Sequence, residues 1–97
     1  MLYAVRLERG GPWDFSRDMR EQEGWDEHAR FMDSLVDDGF IVLGGPLEDG
    51  GDVLHIVEAP SEEAVRERFA EDNWHRNGML RLKSVEGWTV VLDGRSP

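Results

Sequence analysis

The spacing of apolar side chains changes period along this chain, and the order of those changes limits the fold more than any single motif does. Leu2 to Leu7 (LYAVRL) alternates with a period of two, Tyr3, Val5 and Leu7 on one face and Leu2, Ala4 and Arg6 on the other, which predicts a strand. From about Gln22 to Asp38 the period becomes helical. At about 100° per residue, Trp25, His28, Ala29, Phe31, Met32, Leu35 and Val36 share one side, and Gly39 stands where helices commonly end. Phe40 to Leu43 (FIVL) is a continuous apolar run that predicts a strand buried on both faces, ended by Gly44, Gly45 and Pro46. Glu48 to Asp52 (EDGGD) is a turn signal, after which Val53 to Ala59 (VLHIVEA) forms the second arm of an antiparallel hairpin. Ser61 is the expected N-cap of a second helix that runs to about Asp72, with Val65, Phe69 and Asp72 pointing in similar directions. A last strand is predicted from Met79 to Leu92, with a bulge near Glu86-Gly87.

The order is β-α-β-β-α-β, which implies an α+β, ferredoxin-like fold: an antiparallel four-stranded sheet with two helices on one face. Two helices cover one face of such a sheet, and the other face carries apolar side chains as well. A second copy of the sheet would cover it, so a homodimer is expected. Size points the same way, since 97 residues make one domain over 1–97 that buries only part of its surface alone.

Eleven basic against 21 acidic side chains give a formal net charge of −10, which repels phosphate backbones and anionic lipid. Neither nucleic acid nor a membrane surface is therefore an expected partner. The absence of cysteine excludes disulfides and thiolate metal sites. The N-terminus lacks a secretory pattern, and no run approaches the roughly 20 apolar residues of a membrane helix, so the expected compartment is the cytoplasm. The loop from residue 8 to 20 places Trp13 and Phe15 in polar, glycine-flanked surroundings, where large aromatics must pack over a cavity, a partner or the chain's own core.

Three histidines could carry chemistry: His28, His55 and His75. None has metal-ligand spacing, and no metal is expected. His55 alternates with Val53 and Val57 inside an apolar strand and reads as a strand histidine that is satisfied or partly exposed, or else as part of a cavity wall. His75, in the polar run EDNWHRN, reads as a surface residue. His28 falls in the middle of the apolar stripe of the first helix. A buried imidazole needs partners for both ring nitrogens, so it is either a satisfied core residue or the working group of a site. An inward carboxylate would select the second reading by fixing one tautomer; Asp72 is the inward carboxylate on offer, its alternative reading being a C-terminal helix residue that only binds a loop amide. Nucleophile motifs and phosphate-cradling loops are absent; Gly44-Gly45-Pro46 instead suggests close backbone approach at a cavity rim.

Taken together, LYAVRL, DEHARFMDSLVDDG, LGGPL, VLHIVEAPSEEAV and EDNW before GMLRLKSVEGWTV resemble the YCII-related (YciI-like) family over nearly the whole chain. The resemblance implies a dimeric α+β barrel, two ferredoxin-like units paired through their sheets. It also implies an active site of one histidine and one aspartate, which correspond here to His28 and Asp72. Where the family has Asp-Pro-aromatic, this chain has Asp72-Asn73-Trp74. The expectation is general acid-base chemistry by His28, oriented by Asp72, on a small organic ligand, cyclic ones included, by isomerisation or elimination and without a cofactor. Trp13, Trp25, Trp74, Gly45 and Pro46 are expected to wall the pocket and Arg6 to meet an anionic group. The alternative is a non-catalytic dimeric module of the same fold that holds a metabolite.

Overall fold

The computed structural model describes residues 1–48 and 51–95. Its elements are β1 (Leu2–Arg9), a 3₁₀ turn (Met19–Glu21), α1 (Trp25–Asp37), β2 (Ile41–Pro46), β3 (Asp52–Glu58), α2 (Glu62–Phe69), a short α3 (Asn73–Arg76) and β4 (Leu80–Trp88). The four strands form one antiparallel sheet in the order β2-β3-β1-β4, with the helices against one face, so the ferredoxin-like α+β arrangement is the fold. Tyr3, Val5 and Leu7 of β1, with Val57 of β3, meet Leu35 of α1 and Val65 and Phe69 of α2 in the main core. A smaller cluster, Trp13, Trp74, Met79 and Leu80, lies beside it.

Several local expectations are corrected. FIVL is not buried on both faces: Phe40 and Ile41 are buried, but Val42 and Leu43 are exposed. β2 is an edge strand of a sheet whose second face is uncovered, and its register with β3 shifts between Ile41 and Leu43. The strand also continues through Gly44 and Gly45 to Pro46. The turn over Glu48–Asp52 lies in part outside the described residues.

In β4 the register with β1 shifts between Arg6 and Leu7, which leaves Lys83, not Gly87, as the inserted residue. The reason is legible in LRLKSV. Leu80 and Leu82 share one parity and Val85 has the other, and one extra residue between them lets all three pack toward the helices. The strand ends at Trp88, short of Leu92. α1 begins at Trp25 rather than Gln22, because the buried Gln22 amide is used to tie the loop, donating from Nε2 to the carbonyls of Asp14 (2.7 Å) and Arg17 (3.1 Å). In the same loop Trp13 is buried while Phe15 is 75% exposed and does not pack as expected. Val36, placed on the inner stripe by the wheel, is 54% exposed.

Gly39, at φ 78°, ends α1 as its position predicts, and Phe40 N–H donates to the Leu35 carbonyl at 3.0 Å. Ser61 caps α2 by accepting from Ala64 N–H at 3.1 Å. No helix among the described residues is long and apolar enough to cross a membrane.

Candidate active site

His28 sits one turn into α1, inside the apolar stripe, and only 6% of it is exposed. Its ring lies flat on the indole of Trp74, with centroids 4.0 Å apart and planes 12° from parallel. Trp74 is itself fully buried and anchored, its indole N–H donating to the Glu23 carbonyl at 2.8 Å, just before α1 begins. The aromatic stack therefore fixes the plane of the imidazole.

Asp72 was expected at the end of the second helix. That helix ends at Phe69, and Asp72 is instead the N-cap of α3, its carboxylate accepting from Trp74 N–H at 3.3 Å. Acting as a cap turns the side chain back toward α1, where both of its oxygens reach His28 Nδ1, at 2.8 and 2.9 Å. A carboxylate only accepts, so Nδ1 carries the proton and donates it. In the neutral ring the lone pair is then on Nε2, the nitrogen not tied to Asp72, and His28 lines a cavity. Asn73, where the resembled family has proline, ties the same junction by its side chain: Nδ2 donates to the Gly24 carbonyl at 3.1 Å. The Asp72 backbone, at φ −71° and ψ 134°, is already in the region that a following proline would demand.

The cavity beside His28 has a volume of about 370 Å³ and lies between α1, α3, the 8–20 loop and the helix-facing side of the sheet. Trp13, Trp25, Trp74, Gly45 and Pro46 all line it. Arg6 does not. Its side chain is on the uncovered face of the sheet, paired with Asp52 at 3.2 Å, as the parity it shares with Leu2 and Ala4 requires. Arg9, of the opposite parity, and Arg20 reach the cavity instead, Arg9 lying over the Trp13 ring at 5.1 Å. The same alternation that placed Tyr3, Val5 and Leu7 inward would have chosen Arg9 over Arg6.

Of the two readings of His55, a satisfied or partly exposed strand residue or part of a cavity wall, the structure shows the second: it is buried in the cavity wall. Burial, the largest cause, and the nearby His28 together lower its pKa to about 4, with Asp72 opposing by a smaller effect. His75 is half-buried rather than at the surface, with Nδ1 enclosed and without a hydrogen-bond partner among the described residues. A larger depression of about 580 Å³ lies elsewhere, among Asp38, Glu58, Glu67 and Glu71. These carboxylates are all exposed, so it holds no desolvated acid or base.

The fold thus defines an α+β ferredoxin-like unit with a buried His-Asp pair facing a partly open cavity. Among solved structures the chain is similar to 5-chloro-2-hydroxyhydroquinone dehydrochlorinase (TftG) from Burkholderia phenoliruptrix AC1100, in complex with 2,5-dihydroxybenzoquinone. The match has a TM-score of 0.65 and 21% sequence identity, and covers 92% of this chain and 94% of that one. At that identity the likeness is one of fold. No family model and no curated protein matches the chain.

Proposed function

We propose that this chain is a small enzyme in which His28 acts as general acid and base, oriented by Asp72, on a small organic molecule held in the 370 Å³ cavity. The observation that carries the reading is the buried contact from His28 Nδ1 to both Asp72 oxygens, at 2.8 and 2.9 Å. It leaves Nε2 as a base of fixed direction beside a cavity large enough for a single ring. Lining by Arg9, Arg20 and Asp33 favours a site that exchanges polar molecules with solvent over a closed apolar interior. Isomerisation and elimination both need only such a base, which removes a proton and returns it to another carbon or to the departing group. The neighbour of the same fold is by name a dehydrochlorinase of a chlorinated hydroxyhydroquinone, which makes hydroxylated, halogenated rings the first substrates to test. The motifs set out above support a place in the YCII-related (YciI-like) family, as a single cytoplasmic domain that pairs with a second copy.

The test is turnover of a panel of chlorinated and hydroxylated hydroquinones, followed by product chromatography. Wild type should convert at least one member, and His28→Asn should lower kcat by about 10²–10⁴-fold with an unchanged circular dichroism spectrum. Equal rates in wild type and His28→Asn would refute the assignment. Saturable quenching of tryptophan fluorescence with no turnover would identify a ligand-holding module instead.

A further inference from the structure

Resting on the reading of His28 as the base, we propose that His55 is a second catalytic group. Its neutral Nε2–H donates a hydrogen bond to a substrate oxygen that gains negative charge as His28 removes a proton. The substrate class is then an enolisable carbonyl compound, ring ketones and quinone tautomers included, with an acidic hydrogen on the carbon beside the carbonyl.

The placement comes from register. His55 stands opposite Gly44 in the β2–β3 ladder, on the side of the sheet that faces the helices. Its ring occupies the volume that a side chain at residue 44 would take: a Cβ there would stand 2.0 Å from Nδ1 and 2.6 Å from Cε1. Gly44 is therefore the residue that lets the imidazole lie down against the neighbouring strand. That packing encloses Nδ1, which has no hydrogen-bond partner among the described residues. Nε2 is not enclosed in this way, and the ring lines the same cavity as His28.

Chemistry selects the tautomer. A proton on the enclosed Nδ1 would be a buried donor with nothing to receive it, whereas a lone pair there leaves only an acceptor unmet, which proteins tolerate more readily. The proton belongs on Nε2, facing the cavity. With its pKa lowered to about 4, chiefly by burial, the ring is neutral near pH 7. The charged and titratable groups around the cavity are His28 and Asp72 from the helical layer, Arg9 from β1, Arg20 from the 3₁₀ turn and Asp33 from α1.

The two histidines thus hold opposite tautomers, His28 with its lone pair on Nε2 and His55 with its proton there. When His28 takes the α-proton, the C–H electron pair forms a carbon–carbon π bond and the carbonyl π pair moves to oxygen, where the His55 N–H receives it. Collapse of this enolate takes the proton back from His28 at oxygen, to give the enol, or at the distal carbon where a further C=C is conjugated to the enolate; alternatively it expels a β-substituent with its electron pair. On expulsion the proton passes from His28 to the departing group or to water. Every electron pair is accounted for without an external oxidant.

Long-range ¹⁵N–¹H correlation of the histidine rings reads both tautomers in one spectrum of the wild-type protein. His28 is expected as Nδ1–H and His55 as Nε2–H. Added 4-nitrophenolate, an oxyanion probe, should shift His55 Nε2. His55→Phe should weaken its binding by about 10- to 100-fold, and His55→Gln, which keeps a donor, should restore part of the loss. Melting curves of both variants verify that they fold. A His55 Nδ1–H tautomer, or phenolate binding indifferent to His55→Phe, overturns the role of His55 and leaves His28 and Asp72 untouched. An Nε2–H signal at His28 instead refutes its role as base, and the proposal for His55 falls with it.

Discussion

The pair of His28 and Asp72 is held from several sides, and each hold can be removed singly. Asp72→Ala takes away both the acceptor for the buried Nδ1–H and the cap on Trp74 N–H. A cost of about 3 kcal/mol in urea unfolding is expected, with Asp72→Asn costing less because it keeps an oxygen in place. His55 gives the protein an acid-sensitive step. Its pKa falls from 6.5 to about 4 on folding, so between those values the unfolded chain binds the extra proton. Stability therefore declines as pH drops through that window, by up to about 3 kcal/mol, and is fully regained above pH 6.5. Melting temperatures measured across the window should show this slope in wild type and a flatter one in His55→Phe. Gly44→Ala should cost about 1–3 kcal/mol because the new Cβ enters the His55 ring. In a His55→Ala background the same change should be nearly neutral, and a double-mutant cycle measures the difference.

Among the elements, the junction between α2 and α3 governs the site. Had the second helix continued to Asp72, the carboxylate would have pointed according to the wheel of α2; as a cap it points according to the start of α3. The proline of the resembled family fits this geometry, because the first position of a helix tolerates it and Asp72 is already extended. Asn73→Pro should therefore stay within about 1 kcal/mol of wild type in urea unfolding, since the lost bond to Gly24 is offset by a stiffer unfolded chain. A large loss would mean that the Asn73 side chain, rather than the backbone, sets the junction. The bulge at Lys83 follows from the parity of Leu80, Leu82 and Val85, and that signal was present in the sequence beside the more conspicuous Gly87. The start of α1 was not legible, because the helical period extends to Gln22 while the Gln22 amide is spent on loop carbonyls that no local pattern announces.

At the scale of the molecule, the helices leave one side of the sheet uncovered, where Ala4, Leu54, Ile56 and Trp88 share a shallow depression with Arg6, which pairs with Asp52. Lys83 also reaches Asp52, at 3.1 Å, and with Arg6 it holds that carboxyl below the usual carboxylate range. A second copy laid over this face would bury the apolar side chains while leaving the ion pairs available for cross-sheet contacts. Ile56→Glu is expected to shift sedimentation from dimer to monomer, and a wild-type monomer at micromolar concentration would rule out the pairing.

Period and parity along the chain determined that Tyr3, Val5 and Leu7 face the core, that His28 points inward, and that the segments fold as β-α-β-β-α-β. Continued to Arg9, the same parity would have chosen it over Arg6, the residue expected at the cavity. These properties are local, because a side chain's direction in a helix or strand depends only on its place in the repeat. The tertiary structure decided the rest: that Asp72, 44 residues from His28, turns back to meet it, and that His55 lies over Gly44 in the same cavity wall. Such meetings depend on strand register and on where a helix breaks, which are set by packing between distant segments rather than by any local repeat.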